Sequence, residues 1–488
     1  MNEISFDAIP ASLRLPGWYV EFNNSLANNA TTSQKLLMIG QRLATGTVLE
    51  GVPTRVTSVA QAEDYFGRGS MLAEQLKAGR AANQYMDVWA VALDENGAGT
   101  AAAGTITITG AVTETGTLAL YVAGRQVQVP VTLGDDVTAV ATAIVTAVTA
   151  DTSLPVTAAN AVGVVTLTTR WNGETGNDID VRLNYYGEQT PAGIAVAIVP
   201  MAGGTTNPDI TTAIAALGDE WWNWIVNPFN DTANLVALEA ELDLRWGPTV
   251  QKGARAFTAF RGNHAATTSH GDGRNNPHVT CMGTNTAPQP AYIWAAVNAV
   301  VAGAALGIDP ARPLQSLKLT GLMAPAIETR WVDSERNLLL FDGVASYKVG
   351  PDGAVYIERQ ITMYQVNSAA LADDSYLDIN TPETLERIRF MQRAVFASKF
   401  PRHKLAEDSA RVSGATMQPK LARAELLALY RAMEDLGWVQ DYESYAASIL
   451  AYVGNGSGGG DRNRLSIQDS PWLVGQYRVH AQQTQFKK

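Results

Sequence analysis

Both ends of this chain carry a short strand-like segment that a polar, breaker-rich run sets apart from the rest of the sequence. At the C-terminus a Gly-rich run, residues 454–460, precedes a segment that begins near Trp472. There Leu473, Tyr477 and Val479 alternate with polar residues, which is the period-2 pattern of a half-buried strand. The backbone of such a segment has open hydrogen-bonding groups that must be paired somewhere.

The N-terminal segment has the same organisation. Trp18, Val20 and Phe22 alternate with polar residues, and the polar run 23–34 separates them from the first core-like segment. Two arrangements would satisfy these arms: they fold back onto their own chain, or they extend the sheet of a neighbouring subunit. Because one chain carries two arms, donation to neighbours would link the copies into a polymer.

Charge and cysteine content narrow the class of function. Among 488 residues, 47 are Asp or Glu and 36 are Lys or Arg, so the net charge is −11. We see no basic cluster and expect neither direct nucleic-acid binding nor attachment to an acidic membrane surface. The single cysteine, Cys281, excludes an internal disulfide framework and a multi-cysteine zinc site.

The most apolar stretch of the chain covers residues 291–308. It consists mainly of Ala, Val and Gly and contains Asn298, so we predict a buried core helix and no membrane insertion. The first residues do not resemble a secretion signal, because Glu3 and Asp7 stand where basic residues would be needed. We therefore expect a soluble protein that is made in a reducing cytoplasm.

The order of strand and helix patterns predicts an α/β core, a mixed sheet with flanking helices, that is interrupted by an insertion. Continuous apolar strands at 36–40 and 88–93 flank a helix at 71–78, which is typical of a covered parallel sheet. Residues 95–204 are rich in Thr, Val, Ala and Gly and alternate repeatedly, which indicates an inserted, mostly-β domain.

The α/β pattern resumes after the insertion. We predict a β-hairpin from strands 338–349 and 354–365 around Pro351-Asp352-Gly353, and a helix that Thr381 opens as its N-cap. The predicted parts of the chain are the N-terminal arm and tether 1–34, the first part of the core 35–94, the inserted domain 95–204, the remainder of the core 205–453, and the Gly-rich tether with the C-terminal arm 454–488.

The best candidate for chemistry is the group of histidines between His264 and His278. Their spacing matches no compact zinc motif, and the neighbouring glycines indicate a loop. Ser269, His270 and Asp272 are too close in one loop to adopt the geometry of a catalytic triad. We therefore expect a polar surface loop, and no catalytic residue, metal or cofactor. A hydrolase that uses this loop is the enzymatic alternative.

Short motifs in a fixed order run through nearly the whole chain. They are SFDAIP at 5–10, RLPGWYVEF at 14–22, MIGQR at 38–42, FGRGS at 66–70, NPFND at 227–231, RWGP at 245–248, NPH at 276–278, FDGVASY at 341–347, YIERQITMY at 356–364, SYLDI at 375–379 and WL at 472–473. This ordered set resembles the tail sheath proteins of contractile phages, specifically the Mu-like group. The predicted insertion falls in the region where sheath proteins vary most.

The resemblance implies a structural subunit and no enzyme. Sheath subunits form a helical lattice around an inner tail tube, between baseplate and tail terminator proteins, and their terminal arms complete a sheet in a neighbour. Contraction then drives the tube through the host cell envelope for genome ejection. The implied location is the virion tail, after assembly in the host cytoplasm. The expected subunit-interaction residues are Trp18, Val20, Phe22, Trp472, Leu473, Tyr477 and Val479.

Two other functions stay open besides the hydrolase. The same sheath could belong to a headless contractile device, either a bacteriocin or an injection system. The chain could also be a binding module that does not polymerise, with the mostly-β insertion as its binding domain.

Overall fold

The computed structural model describes residues 34–454 and 461–487. The predicted N-terminal arm residues Trp18, Val20 and Phe22 lie outside these ranges. The first part of the core consists of three strands and two helices. They are β1 (Lys35–Gln41), β2 (Thr54–Arg55), α1 (Val59–Phe66), α2 (Met71–Ala82) and β3 (Asp87–Leu93).

The next part of the chain is dominated by strands. They form a four-stranded and a three-stranded antiparallel sheet with one α-helix and a 3-10 turn at Glu174–Asp178. The elements are β4 (Ala101–Gly110), β5 (Gly116–Val122), β6 (Arg125–Val131), α3 (Val137–Ala150), β7 (Val156–Ala161), β8 (Val164–Asn172), β9 (Val181–Leu183) and β10 (Ile194–Ala202). An aspartate caps α3: the Asp136 carboxylate accepts from the Ala139 N–H at 2.8 Å.

The chain then returns to alternating helices and strands. These elements are α4 (Thr211–Ala216), β11 (Trp224–Val226), α5 (Thr232–Trp246), β12 (Arg255–Phe260), α6 (His264–Asp272), β13 (Val279–Gly283), α7 (Ala291–Ile308), a 3-10 turn (Ile327–Thr329), α8 (Asp333–Phe341), β14 (Val344–Val349) and β15 (Val355–Arg359). The C-terminal part adds α9 (Asn380–Lys399), β16 (Lys404–Leu405), β17 (Thr416–Met417), α10 (Pro419–Asp435), β18 (Val439–Gln440), α11 (Tyr442–Ser448), β19 (Leu450–Val453), β20 (Leu465–Gln468) and β21 (Trp472–Leu473).

An eight-stranded mixed sheet forms the centre of the α/β fold, in the order β15-β14-β13-β12-β11-β1-β3-β2. Its six inner strands are parallel, and the edge strands β2 and β15 pair antiparallel to them. The parallel pairing of β1 with β3 confirms the prediction for the first strand–helix–strand unit. Since β1 lies between β3 and β11, the strands on either side of the mostly-β region belong to the same sheet.

Helix α7 is the buried centre of the helical layer, as its Ala, Val and Gly content predicts. It packs against α2 and the strands β1, β11 and β12. Within the described ranges, it is the one helix long and apolar enough to cross a membrane, and 72% of it is buried inside the fold. Close packing requires Gly303, because a Cβ there would lie 2.9 Å from the Trp224 ring.

A second, smaller core lies under the C-terminal elements. It is built from Ile388, Leu426, Leu429, Tyr430, Met433, Val439, Tyr445 and Ile449. Helix α9 contributes to it with Ile388, while Glu383, one turn earlier, is buried beside Arg255 of the central sheet. One helix therefore joins the sheet to the unit that carries the C-terminal arm.

Three predictions of secondary structure are wrong. Residues 338–341 continue helix α8 and are not part of a strand, because a short apolar run fits either element and the Glu335 carboxylate caps the Val332 N–H at 2.9 Å. Residues 264–272 of the predicted histidine loop form helix α6, which Asn263 caps by accepting from the Ala266 N–H. Helix α9 begins at Asn380, so Thr381 lies inside it and is not its N-cap.

Candidate subunit-interaction site

The Gly-rich run 454–460 connects two strands that pair with each other. β19 and β20 form an antiparallel hairpin with partners from Leu450 and Gln468 to Val453 and Leu465. The Gly454 N–H also donates to the Arg464 carbonyl at 3.1 Å. Residues 455–460 of the run lie outside the described ranges, so its role as a tether stays a prediction. The pairing of the strands on either side of it would also fit a hairpin connection, because glycine content alone does not distinguish the two.

The two outer edges of this hairpin have no strand partner in the described part of the chain. Within residues 34–454 and 461–487 no third strand joins β19 and β20, so both outer edges are open. Val453 is buried, whereas Leu450 and Tyr452 on the opposite face are 59% and 61% exposed. Because an isolated two-stranded sheet is only marginally stable, open edges beside an apolar face favour the addition of strands.

The root of the C-terminal arm is attached to its own subunit. Trp472 and Leu473 form β21, which pairs antiparallel with Gln440 and Val439. The Trp472 N–H donates to the Tyr430 hydroxyl at 3.2 Å, and the Val474 N–H donates to the Trp438 carbonyl at 3.1 Å. Of the strand predicted over 472–482, only these first two residues are paired within the single chain.

Beyond Leu473 the buried and exposed sides of the arm are the reverse of those expected for a strand that packs on its own subunit. Tyr477 and Val479 are 71% and 83% exposed, while the Arg478 side chain between them is only 14% exposed. Residues 474–487 form no strand. The apolar side of the predicted strand thus faces outward, and the roles of Trp472, Leu473, Tyr477 and Val479 in subunit interaction stay predictions.

The Arg478 side chain extends from the arm to the core, where it contacts Asp378. Its Nη2 lies 3.0 Å from the Asp378 Oδ1, and Arg359 of β15 binds the same carboxylate through Nε at 3.1 Å and Nη2 at 3.3 Å. Burial lowers the pKa of the Arg478 guanidinium, and Asp378 acts against that shift. The Gln315 amide donates to the Tyr477 carbonyl at 3.3 Å.

The three predicted histidines do not form one site. His264 Nε2 contacts the Glu335 carbonyl oxygen at 3.0 Å, and His270 stacks on Phe260 with ring centroids 4.4 Å apart. His278 lies elsewhere, with Nδ1 3.0 Å from the Arg255 Nη1. Neither Ser269 nor Asp272 is a hydrogen-bond partner of His270, whose buried Nε2 has no partner among the described residues. The same residues contain no cluster of three or more metal-ligating side chains.

Two of these histidines are expected to make stability depend on pH. Burial lowers the pKa of His270 from 6.5 to about 4 and that of His278 to about 2. Between these values and 6.5 the unfolded chain binds more protons than the folded chain, so the free energy of unfolding falls as the pH decreases below 6.5. At about pH 5 each histidine should lower the free energy of unfolding by about 2 kcal/mol relative to its value at neutral pH.

Urea unfolding at neutral pH and near pH 5 tests this. His270→Phe keeps an aromatic ring on Phe260 and removes one titrating group, so its stability should depend less on pH. The same loss of stability in this variant and in the parent chain would contradict the assignment of the titration to His270.

A basic surface segment was not predicted, because the net charge of the whole chain conceals it. Residues 393–423 contain seven Lys or Arg, all exposed, against Glu407 and Asp408, in a chain whose net charge is −11. Arg402, Lys404 and Arg411 form no ion pair within the described ranges, which leaves an uncompensated positive surface. A count of charges in a 30-residue window would have revealed it.

Comparison with known proteins gives a consistent result over the whole chain. Residues 203–363 match the family of the phage tail sheath protein central domain. The chain is 42% identical over 491 residues to the Mu-like prophage FluMu tail sheath protein of Haemophilus influenzae, with 99% of each chain covered.

Solved structures with low sequence identity are also similar. The sheath tail protein of Desulfitobacterium hafniense is 13% identical with a TM-score of 0.49, covering 94% of this chain and 97% of that one. The sheath complex of an extracellular contractile injection system in its contracted state is 10% identical with a TM-score of 0.48, covering 97% and 98%.

Proposed function

Because this chain belongs to the tail sheath proteins of Mu-like phages and is a structural subunit of a contractile tail sheath, we propose that its copies polymerise around an inner tail tube through donated terminal strands. Contraction of this lattice drives the tube through the host cell envelope. The observation that carries the proposal is the 42% identity with a Mu-like tail sheath protein along the entire chain. That relative belongs to a prophage, which favours a phage tail over a headless contractile device.

The hairpin β19–β20 is the proposed acceptor of a donated strand. Support comes from its two open edges and from the exposed side chains of Leu450 and Tyr452. The proposed donor is the arm after Leu473, whose Tyr477 and Val479 expose apolar surface to solvent. Strand addition would pair the backbone groups of both partners and cover both apolar surfaces, which is the energetic basis of sheet augmentation.

The mostly-β domain, residues 95–204, is proposed to lie on the outside of the sheath and to be dispensable for the basic lattice. Support comes from the way its ends meet: Thr100 and Thr205 form an antiparallel bridge, with the Thr100 N–H donating to the Thr205 carbonyl at 3.2 Å. The core formed by residues 35–94 and 205–453 would then build the lattice.

The inner tube, the baseplate and the tail terminator are the proposed partners of the lattice, which assembles in the host cytoplasm. The basic segment 393–423 supports contact with a protein surface of opposite charge, because the rest of the chain is strongly acidic. We propose that this segment binds the inner tube. The alternative partner is the acidic surface of a neighbouring copy, and the experiment must distinguish the two.

Electron cryomicroscopy of the purified chain, with and without co-expressed tube protein, tests these proposals together. We expect helical tubes in which residues 95–204 lie at the outer radius and residues 393–423 face the lumen. Binding of the tube protein should weaken at high salt, because salt screens exposed charges. A chain that stays monomeric with and without the tube protein would contradict polymerisation, and a basic segment between copies would contradict its assignment to the tube.

A further inference from the structure

The C-terminal arm in the single subunit is arranged in a way that does not maximise its own stability. A strand that folds onto its own chain normally buries its apolar residues and exposes its polar ones. Here Arg478 is turned inward and is 14% exposed, while Tyr477 and Val479 are turned outward. The side chain that this segment buries against its own subunit is therefore a charged one.

The segment between β21 and Arg478 lies above a space that it does not fill. Val474, Gly475 and Gln476 line one side of a cavity of about 330 Å³, and Asn380 and Thr381 of helix α9 line the other. Because this cavity is open to solvent and is lined mainly by polar groups, this part of the arm buries little apolar surface. The arm is held at one end by β21 and at the other by the pair of Arg478 with Asp378 and the exposed bond from the Gln315 amide to the Tyr477 carbonyl.

The Arg478 pair can open without leaving a buried charge alone. Breaking a buried ion pair is normally costly because one partner stays desolvated and uncompensated. Asp378 keeps both hydrogen bonds from Arg359, which belongs to strand β15 of the central sheet. Arg478 returns to water when the arm lifts, and water solvates its guanidinium.

From these observations we propose that Arg478 is a releasable latch, which stores the C-terminal arm on its own subunit until a neighbour accepts it. In this closed state the outward side chains of Tyr477 and Val479 are available for the first contact with the open hairpin of a second copy. Pairing with that hairpin lifts the segment beyond Leu473, and Arg478 separates from Asp378. The inference rests on the proposed strand donation, and it adds a closed state that precedes it.

Hydrogen exchange in the dilute monomer measures the latch without any assembly. Beyond Leu473, Val474 is the one described residue whose amide donates a hydrogen bond, so its exchange reports on the attachment of the arm. Arg478→Gln should raise the exchange of this amide on the order of tenfold, because the open form becomes more populated. The matched control is Arg312→Gln, an exposed arginine without an ion pair in the described part of the chain, which should leave the arm unchanged. Equal exchange in Arg478→Gln and the parent chain would overturn the latch.

The assembly rate tests whether release precedes donation. If the closed state competes with donation, Arg478→Gln should shorten the lag before tubes appear. A longer lag together with faster exchange would overturn the proposal, because Arg478 would then be a contact of the lattice. Failure of strand donation itself is distinguishable, since a chain without the arm would still form tubes while the exchange result in the monomer would stand.

Discussion

A chain that ends at Leu473 is expected to stay monomeric under conditions in which the full chain forms tubes. The deletion removes Tyr477, Val479 and the open backbone groups of the arm, while β20 and β21 remain to pair with β19 and β18. A cut after Val453 would be less informative, because it would also leave β19 and β18 without their partners. Sedimentation followed by negative-stain electron microscopy distinguishes monomers from tubes.

The matched control keeps the arm and shortens only its end, by stopping after Gln482. Tubes from this control and none from the chain that ends at Leu473 would assign assembly to residues 474–482. Tubes of equal length from all three chains would contradict donation of the C-terminal strand.

Cysteine cross-linking would locate the acceptor of the arm. Tyr452→Cys together with Val479→Cys should give disulfide-linked ladders in tubes and no dimers in dilute solution. The background should be low because the native Cys281 is fully buried, and burial raises the pKa of its thiol to about 12. Ladders are not expected from either single substitution.

Replacement of Arg255 by Met should destabilise the fold by about 3–5 kcal/mol, which is the usual cost of breaking a buried ion pair. Arg255 is 1% exposed, and its Nη2 donates to the Pro382 carbonyl at 2.8 Å. Its guanidinium lies 4.9 Å from the Trp246 ring centre and 3.8 Å from the carboxylate of the buried Glu383. Burial raises the pKa of Glu383, and Arg255 is the largest opposing influence, so the variant would leave this buried carboxylate without its main compensating charge.

Urea unfolding measures this effect. Arg393→Met, on helix α9 with Glu383, is the matched control, and it should change stability by less than about 0.5 kcal/mol because Arg393 is exposed. Arg255→Met combined with Glu383→Leu should recover much of the loss, since neither charge of this pair then remains buried. A double variant as unstable as the sum of its parts would show that packing, and not the unpaired charge, dominates.

Much of the core could be predicted because its signals are local. The strands at 36–40 and 88–93 and the helix at 291–308 are continuous apolar segments, and such segments bury themselves whatever their neighbours are. The failures occur where a local pattern has two solutions. The apolar run 338–341 fits a strand or a helix. The N-terminal cap of α8, in which the Glu335 carboxylate accepts from the Val332 N–H, favours the helix.

The candidate site was predicted only in part for the same reason. Alternation at Leu473, Tyr477 and Val479 marks a strand-forming segment, but an alternating pattern does not name the partner of that strand. The Gly-rich run marks a break in the pattern, but the sequence does not show that the strands on either side of it, β19 and β20, pair with each other. The basic segment was missed because the charge of the whole chain conceals it.

By itself the sequence determined the mixed α/β class, the buried helix α7 and, through an ordered set of motifs, membership in the tail sheath family. These depend on hydrophobic period and on residue order, which are properties of the unfolded chain. The tertiary structure alone decided that Arg478 shares Asp378 with Arg359, and that Arg255 lies beside Glu383. Each of these contacts joins residues from different elements, and their positions become defined only when the sheet and its helices have packed.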